Sequence, residues 1–191
     1  VLDILSSSSI TGLSDAAVII SDNITVAQAN VLNGKTTGVI TATISTSDAA
    51  TLATLDATRG DTANAYTITI TDSTAAAADL NTIDGLTSVD VVVTEVDTVT
   101  GLLADLDTLY TNAANFTNLA DEAVTATDTT VDADVLMNLN GNAGGKITLS
   151  NTVTAVTGSG QQVDLAYVAS AANAADGLTG LDTTATVTIT G

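Results

Sequence analysis

The stretch Tyr66–Gly85, YTITITDSTAAAADLNTIDG, decides the fold because its pattern occurs three times in the chain. It returns as AVTATDTTVDADVLMNLNG at Ala123–Gly141 and occurs earlier as VIISDNITVAQANVLNG at Val18–Gly34. The copies align on a shared aspartate, at Asp22, Asp72 and Asp128. Self-similarity at this spacing is typical of repeat architectures, in which each unit buries its apolar face against its neighbours.

Each copy contains a strand-like run and then a helix-like run. Tyr66, Ile68 and Ile70 alternate with threonines, which predicts a strand with one buried face. The following residues predict a short helix that is capped by Asp72 and built on the helix formers Ala75–Ala78. The same reading predicts strands at Ala17–Ser21, Gly38–Ile44, Ala65–Thr71, Val89–Thr94, Glu122–Thr127, Lys146–Ser150 and Ala185–Thr190.

Two further segments have helical patterns. GLLADLDTLYTNA at Gly101–Ala113 carries an apolar stripe of leucines, and Val163–Ala172 is its counterpart in the next unit. One strand, one helix and two short loops make a coil of roughly 24–28 residues. The predicted fold class is therefore α/β, a repeat solenoid of short parallel strands and short Ala-rich helices. An all-β solenoid is the alternative, because Asn33-Gly34, Asp84-Gly85 and Asn140-Gly141 also suit hairpin turns.

The whole chain, residues 1–191, is predicted to be one repeat array. A second motif, ITGL at Ile10–Leu13, returns as FTNL at Phe116–Leu119 and LTGL at Leu178–Leu181, and it precedes two of the units and a fragment of a further one. The approximate units are 10–58, 59–119 and 120–181, with a partial unit at 182–191. The first unit is shortened, since its second half, STSDAATLATLDATRG, lacks such a motif before the next strand.

Composition excludes several classes of function. The 191 residues contain no Cys, His, Pro or Trp, and 22 acidic residues against three basic ones give a net charge of −19. Nucleic acid and anionic membrane surfaces are excluded as partners, because both require a basic face. The absence of Cys and His removes thiolate and imidazole chemistry. Hydrophobic residues make up 45% of the chain, which predicts a folded protein despite the charge.

Three segments together resemble a repeat of very large cell-surface proteins of marine cyanobacteria and of related marine phage virion proteins. They are TITITDSTAAAADLNTIDGLTS, VTEVDTVTGLLADLDTLYTNA and FTNLADEAVTATD. The resemblance covers nearly the whole chain. It implies an extracellular, cell-surface or virion-surface structural role and brings no catalytic residues with it.

Acidic residues are the candidates for binding chemistry. Asp22, Asp72, Asp128 and Asp84 are weak calcium candidates, since loop carboxylates and carbonyls are the ligands that calcium prefers. Helix capping is the favoured alternative, because these residues follow strands. The chain lacks both an EF-hand loop and the GGxGxDxUx signature.

Catalysis is not expected. A glycosidase uses a pair of carboxylates, and the chain offers two such pairs, Asp105/Asp107 and Asp132/Asp134. However, side chains at i and i+2 diverge on a helix. Solvated surface charge is the favoured interpretation of both pairs, and the chain is predicted not to be an enzyme.

The Thr-x-Thr elements, such as Thr67/Thr69/Thr71, raise the alternative of ice binding. This alternative is ranked last, since Val91–Val93 and Ile147–Leu149 are expected to interrupt any ladder.

The sequence thus predicts a non-enzymatic structural segment that serves as a spacer, coat or filament wall. Its predicted partners are other copies of itself or neighbouring repeats, bound end to end through uncapped strands such as Thr186–Thr190. The alternative is a calcium-dependent adhesin segment. No cofactor is expected unless calcium is bound.

Overall fold

The computed structural model describes residues 13–60, 62–172, 177–181 and 183–190. These residues form a mixed α/β structure with six α-helices and several short sheets. The predicted motif at Ile10–Leu13 lies outside the described residues except for Leu13, as does residue 182, where the partial unit was predicted to begin.

The helices are short. They are α1 (Val26–Asn33), α2 (Ala49–Leu52), α3 (Ala77–Asp84), α4 (Leu103–Thr111), α5 (Ala133–Asn142) and α6 (Gly160–Ala172). A 3₁₀ turn, Ala113–Asn115, follows α4. No helix in the described part of the chain is long and apolar enough to cross a membrane.

The described residues divide into two compact units. The first contains the residues up to Asp72, together with Asp79–Glu95 and Ala114–Asn118. The second contains Ser73–Ala78, Val96–Ala113 and the residues from Leu119 onward.

The first unit holds two parallel sheets. One has the strand order β1-β2-β3, with β1 at Val18–Ile19, β2 at Ile40–Thr43 and β3 at Ala65–Thr67. The other pairs β5 (Val91–Val92) with β7 (Phe116–Thr117). The largest fully buried side chains of this unit include those of Ile24, Ile40, Tyr66, Ile68 and Leu80.

The second unit also holds two parallel sheets. One has the order β10-β8-β6-β4, and the other has the order β12-β11-β9. Their strands are β4 (Thr74–Ala76), β6 (Thr98–Gly101), β8 (Ala123–Ala126), β9 (Thr130–Asp132), β10 (Ile147–Leu149), β11 (Ala155–Gly158) and β12 (Thr186–Ile189). Helix α5 packs against both α4 and α6, and α6 also packs on β11. Leucines such as Leu106 and Leu136 are fully buried in this unit.

The residues that pair on neighbouring strands are mostly separated by a similar number of residues in the sequence. Thr41 pairs with Ala65, and Thr74 pairs with Thr98, 24 residues later in each case. A longer interval of 31 residues separates Thr148 from its partner Thr179. A parallel strand cannot return through a tight turn, so each interval must contain a crossover, and short helices occupy many of these crossovers.

Each of the seven predicted strand runs, from Ala17–Ser21 to Ala185–Thr190, contains an observed strand, which confirms these predictions. The predicted helix after Asp72 is wrong in its first turn, because Thr74–Ala76 forms β4 and the helix begins at Ala77. Ala75 is buried and in register with Val99, so pairing with β6 overrides the helix propensity of alanine. The hairpin interpretation of the Asn-Gly and Asp-Gly pairs is also wrong, since these residues lie at or near helix ends.

Candidate functional site

Two of the proposed calcium ligands cap helices that precede them in the chain. The Asp72 carboxylate accepts a hydrogen bond from the amide N of Ala49 at 2.6 Å, and the Asp128 carboxylate accepts one from the amide N of Leu103 at 2.8 Å. These amides begin α2 and α4, whose first N–H groups have no partner within the helix. The positive end of each helix dipole favours the carboxylate. Both aspartates therefore cap a helix, as expected, but not the helix that follows them.

Asp48 provides a second cap for α2. Its carboxylate accepts hydrogen bonds from the Thr51 amide and hydroxyl, both at 2.8 Å. Hydrogen bonds from the Thr51 backbone, and then from its side chain, lower the pKa of Asp48. Asp22, by contrast, lies exposed between β1 and α1.

Asp84, another of the proposed calcium ligands, lines a cavity. The cavity measures about 190 Å³ and is lined by Asp84, Thr87, Ser88, Val89, Asp90 and Asn115. The Asn115 side-chain amide donates to the Asp84 carboxylate at 3.1 Å. Buried Thr87 fixes the adjoining loop, because its hydroxyl donates to the carbonyl of Tyr66 and accepts from the amide of Val89.

This polar cavity is lined by two carboxylates, an amide and two hydroxyls, which are oxygen ligands of the kind that calcium accepts. Asp90 was not predicted as a candidate, and its position in an exposed loop before β5 gives no local signal. The structure does not bring Asp22, Asp72 or Asp128 into the cavity. Within the described ranges, no group of three or more acidic side chains could hold a metal ion.

A second cavity, of about 340 Å³, is lined mostly by serine and threonine residues. Its lining residues are Thr25, Val26, Ala27, Ser45, Thr46, Ser47 and Thr51. Thr25 also caps α1 through a reciprocal pair of hydrogen bonds with Gln28. The cavity therefore lies beside two helix starts whose amides are already partly capped.

A buried asparagine links three neighbouring segments of the first unit. Asn64 has no exposed surface, and its side-chain carbonyl accepts from the amide N of Ile40 at 2.9 Å. Its side-chain NH₂ group donates to the side-chain oxygen Oδ1 of Asn33 at 3.3 Å and to the Tyr66 hydroxyl at 3.1 Å. Burial, with a smaller contribution from the charge of Asp56, raises the pKa of Tyr66 to about 12. The hydroxyl therefore stays protonated in this network.

Glu122 is a buried residue of the second unit, and its carboxylate accepts a hydrogen bond from the amide N of Ala120 at 3.0 Å. Burial raises the pKa of Glu122, and the charge of Asp121 adds to this effect. The buried Tyr110 hydroxyl has no hydrogen-bond partner in the part of the chain that the structure describes. Burial and the nearby charges of Glu122 and Asp121 raise the pKa of Tyr110 as well.

The carboxylate pairs considered for catalysis make structural hydrogen bonds. Asp132 caps α5 through the amide of Asp134, and Asp134 accepts from both the amide and the hydroxyl of Ser159. Asp107 accepts from the side-chain amide of Asn138 at 2.6 Å. These bonds support the interpretation of both pairs as surface and capping groups.

Threonines form one continuous row in the second unit. Thr100 pairs with Thr125, Thr125 with Thr148, and Thr148 with Thr179. At Ile147–Leu149 only Thr148 joins this row, because Ile147 and Leu149 are buried. The row continues there as a single threonine, and this segment supplies no Thr-x-Thr pair.

In the first unit the predicted interruption is confirmed. Val92 occupies the register position between Thr69 and Thr117.

Comparison with protein-family models, curated proteins and solved structures finds no match to this chain.

Proposed function

We propose that this chain is a non-enzymatic structural segment, a repeat solenoid that serves as a spacer, coat or filament wall on an extracellular, cell or virion surface. In this proposal each interval of about 24 residues is one coil, and the protein's work is to hold its coils in register. Its partners are other copies of itself or neighbouring repeats, joined end to end.

The observation that carries the proposal is a recurring side-chain hydrogen bond between residues that are the same distance apart in the sequence. Asn30 donates to the carbonyl of Thr54, and Asn33 donates to that of Ala57. Asn118 bonds Thr94, and Asn151 bonds the carbonyl of Thr127. Each of these bonds spans 24 residues in the sequence, which is also the separation of the paired residues Thr41 and Ala65. A protein whose polar side chains mostly fix its own repeat is well suited to a mechanical role.

Electron microscopy of the purified chain, combined with analytical ultracentrifugation, tests this proposal. Linear particles that grow by end-to-end addition are expected as salt screens the charge of −19. Strictly monomeric particles at every concentration and salt level would count against the filament role. Turnover by a glycosidase assay that is lost in D132N/D134N would count against the non-enzymatic assignment.

The polar cavity favours a second candidate, a calcium-dependent adhesin segment. Asp84 and Asp90 line it together with the Asn115 amide. If calcium binds the folded chain there, thermal melts should shift upward with calcium and return with EGTA. D90N should abolish that shift, whereas D22N should leave it intact. An identical melt with and without calcium removes this candidate.

A further inference from the structure

Among the described residues, exposed large apolar side chains collect mostly on the first strand and helix and on the last. Ile19 on β1 and Val31 on α1 are exposed in the first unit, and we call them the head surface. Leu165 and Val168 on α6 and Val187 and Ile189 on β12 are exposed in the second unit, and we call them the tail surface. Val89 of the first unit and Leu102 of the second are exposed as well.

The tail surface has the pattern of an inner, covered face. Val187 is in register with Val156, and Val156 is in register with Val131. Val131 and Val156 are fully buried, whereas Val187 is 45% exposed. Helix α6 packs on β11, the strand that carries Val156. Among the described residues, the same side of β12 is therefore an apolar strand face without a covering helix.

The strand edges at the two surfaces are also unpaired. Within the described ranges, β12 pairs only with β11, and β1 pairs only with β2. An unpaired edge presents a row of N–H and C=O groups that can add another strand. Neither Ala16–Ser21 nor Thr186–Thr190 contains a charged residue. Two such edges can meet even though the chain as a whole carries −19.

We propose that the tail surface binds the head surface of a second copy of this chain. Strand β1 of the second copy adds in parallel to β12, and its α1 covers Val187 and Ile189 as α6 covers β11. The contact is heterologous, so it leaves a free head and a free tail and can repeat. This inference rests on the proposed structural function and names the surfaces that perform it.

The first test is sedimentation over a range of concentrations at physiological salt. Wild-type mass should rise with concentration, and V187D should weaken self-association by roughly tenfold or more, because a charge would enter an apolar contact. L102D is the matched control, since it introduces the same charge at an exposed apolar residue outside both surfaces. Equal weakening by V187D and L102D would overturn the proposal. Both sites are exposed, so neither change removes a buried contact.

The second test uses the absence of cysteine from the chain. T188C and I19C each carry a single thiol, and paired strands lie about 4.8 Å apart, within reach of a disulfide. Mild oxidation of the mixture should give cross-linked dimers, whereas neither variant should cross-link alone. Cross-linking of T188C with itself would show a tail-to-tail contact and overturn the proposal.

These outcomes separate the two proposals. Association that persists in V187D refutes the tail surface but leaves end-to-end assembly through other residues. A wild-type chain that stays monomeric at every concentration refutes both.

Discussion

Replacing Asn64 by alanine should destabilise the first unit more than any exposed polar substitution, because three groups lose their partner at once. The Asn64 side chain forms hydrogen bonds with the backbone amide of Ile40, the side-chain oxygen of Asn33 and the Tyr66 hydroxyl. A buried polar group left unpaired costs about 1–3 kcal/mol. With partial rearrangement of the network, N64A should lose on the order of 3–6 kcal/mol of unfolding free energy. For a chain of this length that is a fall in Tm of roughly 6–24 °C.

Asn30 provides the matched control. Its side chain also bridges two segments, donating to the carbonyl of Thr54 and accepting from the amide of Asp56. These bonds lie at the surface, where water can replace them, so N30A should cost less than about 1 kcal/mol. Both variants remove one side-chain amide and differ mainly in burial.

Urea unfolding followed by far-ultraviolet circular dichroism measures the loss, and hydrogen exchange locates it. The Ile40 amide should lose protection in N64A and keep it in N30A. If N64A proves no less stable than N30A, or if Ile40 exchange is unchanged, the buried network does not stabilise the fold as inferred here.

Three further predictions concern the second unit and its caps. G145A should be severely destabilising, because its Cβ would clash with the backbone carbonyl oxygen of Glu122. G141A has open space around it in α5, so a thermal melt should show a gain of about 0.5–1 kcal/mol in unfolding free energy. The raised pKa of Glu122 means that the folded chain keeps this proton to higher pH than the unfolded chain, so its contribution to stability falls as pH rises through that pKa. The Tm difference between wild type and E122Q should therefore change between pH 4 and pH 7, and a constant difference would contradict this. D128A should cost about 1 kcal/mol by removing the cap on the first amide of α4, and D22A, at an exposed site, should be close to neutral in the same urea titration.

Alternation predicted the strand runs because it is a local signal. Tyr66, Ile68 and Ile70 are all buried, as their alternation indicates. Strand β4 was missed because its alanines are strong helix formers in isolation. What makes Thr74–Ala76 a strand is its pairing with Thr98–Thr100, which becomes visible only once the register is known.

The caps show the same limit at the level of the candidate site. A window around Asp72 or Asp128 indicates an N-cap, and both residues are caps. The helices that they cap begin about 24 residues earlier, at Ala49 and Leu103, so no local window could assign them. Asp90 was missed for a related reason, since only the folded loop places it in the cavity with Asp84.

The threonine row is kept even where the segment between its strands is longer than usual. Thr148 and Thr179 keep their place in the row although 31 residues separate them, and the intervening helix α6 is the longest of the described helices, with 13 residues. Helix α2, with four residues, lies within an interval of ordinary length. Insertions and deletions on the helical side can thus be absorbed without moving the strands. The strand register thus stays fixed while the length of the connecting helix varies, in evolution or by protein engineering.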